Sequence, residues 1–222
     1  MTSPTTRELN AYYSARAPYY DAVYDKPERR RDIEFLSVFL AERLRGREVV
    51  EVACGTGYWS RFIAPACSRF VATDALPEPL ELAMRRPGID PAQCHVADAY
   101  ALPSSLGRFN GAFAGLWLSH VPVERRAEFF GSLHALLRPK SIVVIIDNSE
   151  VQCREFPIVE TDERGNTYQE RPLRDGSRHR VLKNFPGQDE LTSLAGSFGA
   201  ERAEYRALEN FWYFEYELPD SP

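Results

Sequence analysis

The sequence predicts an α/β fold: a mostly parallel seven-stranded sheet with helices on both faces, an antiparallel C-terminal edge and a β-hairpin insertion. Three observations carry that expectation. Short β-branched runs alternate with helical patterns between residues 48 and 147, the rhythm of parallel β-α-β units joined by right-handed crossovers. A glycine turn, Gly55 and Gly57, follows the first of those runs directly. Near the C-terminus two alternating segments follow one another with no helix between them, as when an antiparallel pair extends one edge of a parallel sheet.

Residues 12–24 are rich in tyrosine, and Pro27 separates them from residues 28–45, where Ile33, Leu36, Phe39, Leu40 and Leu44 recur at helical spacing. Two helices are therefore expected before the first strand. Val49-Val50-Glu51-Val52 reads as that strand, and residues 59–66 as the helix after the glycine turn. Strands at 70–73, 94–97, 111–117 and 142–147 then alternate with helices at 77–86 and 123–137. Residues 167–173 and 177–183 flank Asp175-Gly176, a hairpin signal. A helix at 188–198 opens near Pro186-Gly187, and residues 202–207 and 211–217 form the terminal pair. Trp212 and Tyr213 are adjacent on a strand, so one is expected in the core and the other outside it. The organisation expected is a single domain over 1–222, with N-terminal lid helices at 7–46 and a variable insertion at 149–187.

Composition narrows the function. With 44% apolar and 27% charged residues over 222 positions, the chain is ordinary globular protein. No apolar run approaches the ~18 residues that cross a bilayer, and residues 1–6 lack the basic and apolar regions of a signal peptide. A cytoplasmic protein without a membrane partner is expected. Cys54, Cys67, Cys94 and Cys153 are scattered, with no C-x-x-C pair or histidine at ligand spacing, so neither a metal site nor a disulfide framework is indicated. A net charge of -5 disfavours nucleic acid. Arg29, Arg30 and Arg31 read as a solvated helix face, whereas the arginines of 171–180 could line a pocket. A monomer or homodimer is expected.

The chemistry is concentrated in Val49-Val50-Glu51-Val52-Ala53-Cys54-Gly55-Thr56-Gly57-Tyr58-Trp59. A strand runs into a glycine turn and then a helix, so backbone N–H groups face outward and a ligand can approach without meeting a Cβ. Such a turn alone is weak evidence, because dinucleotide enzymes use it too. Asp74 ends the second strand, where a carboxylate can take both hydroxyls of a ribose, and Asp98 ends the third. Each alone could be a turn or cap aspartate; acids at three consecutive strands argue for a nucleoside.

On these residues the chain resembles the Rossmann-like class I S-adenosylmethionine-dependent methyltransferases, within them the small-molecule, ubiquinone/menaquinone-type subgroup. The family's first motif, acidic-x-Gly-x-Gly-x-Gly, is met at Glu51, Gly55 and Gly57; Ala53 replaces the first glycine, which implies tighter packing against the methionine part of the cofactor. The resemblance further implies that Asp74, with Ala75 beside it, binds the ribose, that Asp98 and Ala99 read the adenine, and that Leu116 borders the cofactor. Tyr12-Tyr13-Ser14-Ala15-Arg16-Ala17-Pro18-Tyr19-Tyr20 is similar to the lid helix of that subgroup. Tyr13, Arg16 and Tyr20 would share one helical face and close over the cofactor, aromatic rings toward the sulfonium and arginine toward the carboxylate.

The activity implied is methyl transfer from S-adenosylmethionine to a small-molecule acceptor, at oxygen or nitrogen ahead of carbon. His120, in Leu118-Ser119-His120-Val121-Pro122 after the fourth strand, is the candidate base, with Tyr20 beside it on the catalytic side. A histidine that merely packs there is the plainer alternative. His95 and His134 read as structural, and His179 stays open. No Asn/Asp-Pro-Pro-aromatic run and no Pro-Cys nucleophile occurs, which turns the reading away from nucleic-acid bases. Asp147 and Asn148 end the fifth strand on the cofactor's edge, as acceptor contacts or as turn residues. Two other readings stand beside this one. The first is a non-catalytic S-adenosylmethionine-binding or partner-binding module; the second is a nicotinamide-dependent oxidoreductase. Against the latter, Ser60 stands where a third Gly or Ala is wanted, and none of Lys26, Lys140 and Lys183 has a Tyr four residues earlier.

Overall fold

The computed structural model describes residues 4–220; the expectations for the first three residues and for 221–222 lie outside the described residues. Helix α1 (Pro4–Arg16) continues into a 3-10 segment, Ala17–Val23, and a second 3-10 turn leads into α2 (Arg30–Arg43). The alternating part follows as β1 (Glu48–Val52), α3 (Ser60–Ile63), β2 (Arg69–Asp74), α4 (Pro77–Ala83), β3 (Cys94–Val96), β4 (Phe109–Gly115), α5 (Arg126–His134) and β5 (Leu137–Asn148). Then come β6 (Ile158–Thr161), β7 (Thr167–Pro172), β8 (Arg178–Leu182), α6 (Gln188–Gly196), β9 (Glu201–Ala207) and β10 (Phe211–Glu217).

The main sheet has the order β3-β2-β1-β4-β5-β10-β9, with β1 to β5 parallel and β10 antiparallel to both neighbours. This is the predicted Rossmann-like architecture. Strand order reverses between β1 and β4, so a crevice opens at their carboxyl ends, where open α/β sheets bind ligands. Both faces of the central strands are covered, while the edge strand β9 is largely exposed. Val50, Val52 and Val71 face one buried cluster, while Val49, Phe70 and Ala72 face the other, the period-2 consequence of a pleated strand between two helical layers.

Three expectations change. Trp212 and Tyr213 are both buried, one in each cluster, because α2 lays Phe35 and Phe39 over the face that Tyr213 occupies. The hairpin of 167–183 is the major part of a separate three-stranded antiparallel sheet, β6-β7-β8; β6 escaped prediction because it is short and exposed throughout. Finally, Tyr13, Arg16 and Tyr20 do not share one helix. Pro18 disfavours helical geometry before it, and Tyr19 (φ -132, ψ 17) breaks the run, leaving Tyr20 on the 3-10 segment. Among the described residues no helix is long and apolar enough to cross a membrane, and no cluster of side chains could hold a metal ion.

Candidate functional site

The turn after β1 is left-handed at Ala53 (φ 55), Gly55 (φ 56) and Gly57 (φ 71). A Cβ on Gly57 would come within 2.9 Å of Ala83, so that glycine lets α4 pack on the loop; one on Gly55 would meet nothing, so the surface there is open. Leu116 (φ 57), just past β4, is also left-handed. Two non-glycine residues in this region, at the ends of the two strands that flank the switch point, mark a place where local strain is held by its surroundings.

Asp74 is nearly buried and holds the loop: Gly55 N donates to one carboxylate oxygen at 2.8 Å and Leu76 N to the other at 2.9 Å. Burial raises its pKa, against the opposing pull of those N–H donors. Each oxygen keeps a lone pair for a further donor. Asp98, exposed at the end of β3, accepts from Tyr100 N at 2.9 Å, and Ala99 beside it is buried. Glu51 takes another place. It is buried beneath the loop, accepts from Ser60 Oγ at 2.5 Å, and lines neither of the two cavities described below; burial pushes its carboxyl up to about 8.

Two cavities meet at the carboxyl edge of the sheet. The larger, about 830 Å³, brings together Ala53, Gly55, Asp74, Ala75, Asp98 and Ala99 of the expected cofactor residues. Trp117, Tyr100 and Arg125 also line it; the Arg125 guanidinium lies 3.4 Å from the centre of the Tyr100 ring, and Trp117 Nε1 is buried with no hydrogen-bond partner among the described residues. The smaller, about 210 Å³, contains Arg16, Arg29, Asn148, Arg171 and Lys183. Tyr13, Tyr20, Leu116 and His120 line both. Arg16 thus sits on the smaller side, hydrogen-bonded to the Tyr12 hydroxyl at 2.7 Å and lying over the Tyr20 ring.

His120 forms the partition between the two. Its Nδ1 lies 2.6 Å from Leu182 O, an acceptor only, so Nδ1 carries the proton; Nε2 accepts from the Tyr13 hydroxyl at 2.7 Å. Burial, then the charges of Lys183 and Arg171, hold its pKa well below the usual value, so the ring is neutral near pH 7. Burial raises the pKa of Tyr13 and Tyr20, and both stay protonated. The loop carrying His120 is braced to β5: Ser119 N and Oγ donate to Asp147 at 2.9 and 2.8 Å, and Lys183 Nζ reaches Ser119 Oγ, Asp147 and Asn148 Oδ1 at 2.6, 2.9 and 3.0 Å.

Sequence reasoning missed Lys183 and Arg29. Arg29, expected on a solvated face, is 6% exposed; Arg30 and Arg31 are the solvated pair. The other histidines are accounted for locally: His95 stands on β3 opposite Thr73, His134 bonds the Tyr216 hydroxyl at 2.7 Å and His179 lies 2.9 Å from Ser177 Oγ.

Residues 49–140 match a family model described as a methyltransferase domain. DhpI in complex with S-adenosylhomocysteine is similar over the whole length: 26% identity, 99% of both chains covered, TM-score 0.80. An S-adenosylmethionine-dependent methyltransferase from Clostridium acetobutylicum shares the fold at 16% identity, covering 90% of this chain and 98% of that one, TM-score 0.67. The magnesium protoporphyrin IX methyltransferase of Synechocystis, with bound S-adenosylmethionine, shares it at 12% identity over 98% of both chains, TM-score 0.65. No curated protein matches the chain.

Proposed function

We propose that this chain, an S-adenosylmethionine-dependent methyltransferase, transfers the methyl group to an oxygen or nitrogen atom of a small-molecule acceptor held in the smaller cavity. The observation that carries this is the junction: two cavities, one rimmed by the strand-end acids and one by cations, open onto the same Tyr13, Tyr20, Leu116 and His120. The larger suits the cofactor. Its volume is within the range of small-molecule sites, the surface at Gly55 is open, Asp74 has lone pairs to spare, and Trp117 Nε1 is a buried donor lacking an acceptor among the described residues.

In this reading Asp74 and Ala75 hold the ribose, Asp98 and Ala99 the adenine, with Tyr100 and Arg125 at the purine's edge. When bound, the cofactor supplies a methyl carbon activated by its sulfonium. The chain's own residues align the acceptor and exclude water, which can lower the barrier by several kcal/mol. Residues 7–46 form the lid and 149–187 the acceptor-side insertion. Tyr13 and His120 are the route for a proton, since the neutral Nε2 already accepts from the Tyr13 hydroxyl at 2.7 Å. Tyr20 walls the junction beside them.

Two measurements test the reading. Calorimetric titration with S-adenosylhomocysteine should show binding, and Asp74→Ala should weaken it roughly 10- to 150-fold, the equivalent of the ~1.5–3 kcal/mol of hydrogen bonds to a charged group. An unchanged affinity in that variant removes Asp74 from the site. Release of S-adenosylhomocysteine against a panel of amines, phenols and carboxylic acids then separates an enzyme from a module that only binds the cofactor.

A further inference from the structure

We propose that the smaller cavity recognises a negatively charged oxyacid group on the acceptor, a carboxylate or a phosphate-type oxyanion; this rests on the methyltransferase reading above. Six cationic side chains line the cavity, Arg16, Lys26, Arg29, Arg171, Arg174 and Lys183, against a single carboxylate, Glu155. That carboxylate is already ion-paired with Lys26, and Lys183 with Asp147. Among the described residues, Arg16, Arg29, Arg171 and Arg174 have no acidic partner within ion-pair distance.

Burial makes this imbalance informative. Arg171 is 3% exposed and Arg29 6%. The partners of Arg171 are all neutral: Gln169 Oε1 at 2.6 and 3.1 Å, Gln152 Oε1 at 3.4 Å and the Tyr13 hydroxyl at 3.5 Å. Arg29 donates to Val23 O at 3.1 Å. A charge removed from water without a counter-charge is costly, and this protein carries a net charge of -5, so the cations are concentrated here against the overall balance.

A second observation is independent of charge. Asn148 lines the cavity at 4% exposure; its Oδ1 accepts from Lys183, which fixes its amide, and its Nδ2 has no hydrogen-bond partner among the described residues. Guanidinium and amide N–H groups are donors only, so the set asks for a ligand made of acceptors. A cavity of about 210 Å³ admits a small acid, and Tyr13 and His120 place the rest of that molecule against the larger cavity.

The test is calorimetric, on the whole chain saturated with S-adenosylhomocysteine. Acetate, inorganic phosphate and neutral acetamide are titrated in turn, all small enough to enter. At least one anion should bind tenfold or more tightly than acetamide, and preference between the two anions tells a planar from a tetrahedral group. Arg171→Gln should lower that affinity tenfold or more while S-adenosylhomocysteine still binds. If that variant loses its folded circular-dichroism spectrum, Asn148→Asp, which sets a carboxylate where the free donor was, should abolish anion binding in its place. Anions that bind no better than acetamide to a protein that holds S-adenosylhomocysteine overturn the proposal alone. Failure of S-adenosylhomocysteine itself to bind overturns the underlying reading and this inference together.

Discussion

Ala53 shows two opposed forces at one residue. Its left-handed backbone (φ 55) costs a residue with a Cβ roughly 1–2 kcal/mol, and glycine would remove that cost while adding ~0.5–1 kcal/mol of unfolded-state freedom. Ala53→Gly should therefore stabilise the protein by about 0.5–1 kcal/mol in chemical denaturation. The methyl group also lines the larger cavity, and losing one buried methyl costs ~0.8 kcal/mol, or about fourfold in S-adenosylhomocysteine affinity. Stability up and affinity down is the expected pair; a destabilised variant would mean the strain argument is wrong. Residues whose position follows from backbone geometry were legible in the sequence: Gly55, Asp74 and Asp98 all fall at strand ends, and all line the larger cavity. Arg29 and Lys183 were not, because a charge reads the same whether it is solvated or buried. Only the tertiary structure shows that Arg29 turns inward while its two neighbours face water.

The N-terminal segment docks through an apolar patch and a polar latch. Leu9 and Tyr12 pack on Leu173, just past β7, and on Val181 of β8, and Asp21 on the 3-10 segment accepts from Thr56 Oγ1 at 2.6 Å while pairing with Arg86. Arg86 in turn donates to Thr56 O at 2.9 Å, so one aspartate ties the segment to both the glycine loop and the residues after α4. With the Asp21 side chain 35% exposed, the latch contributes about 1–2 kcal/mol. Asp21→Ala should leave global stability nearly unchanged yet raise protease cutting within 12–24 about 5- to 30-fold, because local opening has its own free energy. S-adenosylhomocysteine should slow that cutting in the unmodified chain. Equal cutting rates in variant and parent would show that the segment is not latched through Asp21. The presence of this element could be read from its tyrosines, but its break could not be read from i, i+3, i+7 spacing; Pro18 was the signal that the segment is not one continuous helix.

At the scale of the molecule, an α/β sheet covered on both faces buries titratable groups in opposite senses, and their sum sets how stability follows pH. His120 and His134 are held below their usual pKa by burial, His134 at about 4. Below about 6.5 the unfolded chain binds protons that the folded histidines refuse, so stability falls as pH drops. Glu51 acts the other way. Its folded carboxyl keeps its proton up to about 8, while the unfolded one ionises near 4.5, so its contribution is complete below 4.5 and is lost as pH rises to about 8. Lys183, lowered to about 8, is still largely protonated in both states across most of that window. Between roughly 6.5 and 8 the Glu51 effect is left unopposed, at up to ~1.4 kcal/mol per pH unit. Stability without cofactor should therefore peak near pH 6.5 and lose about 2 kcal/mol by pH 8, seen as a fall of about 4–8 °C in Tm. Glu51→Gln, which keeps a partner for Ser60 but cannot ionise, should flatten the descending limb and leave the acid limb in place. If the unmodified chain melts no lower at pH 8 than at pH 6.5, the carboxyl beneath the loop is ionised in the folded state, and the glycine turn must rest on some other support.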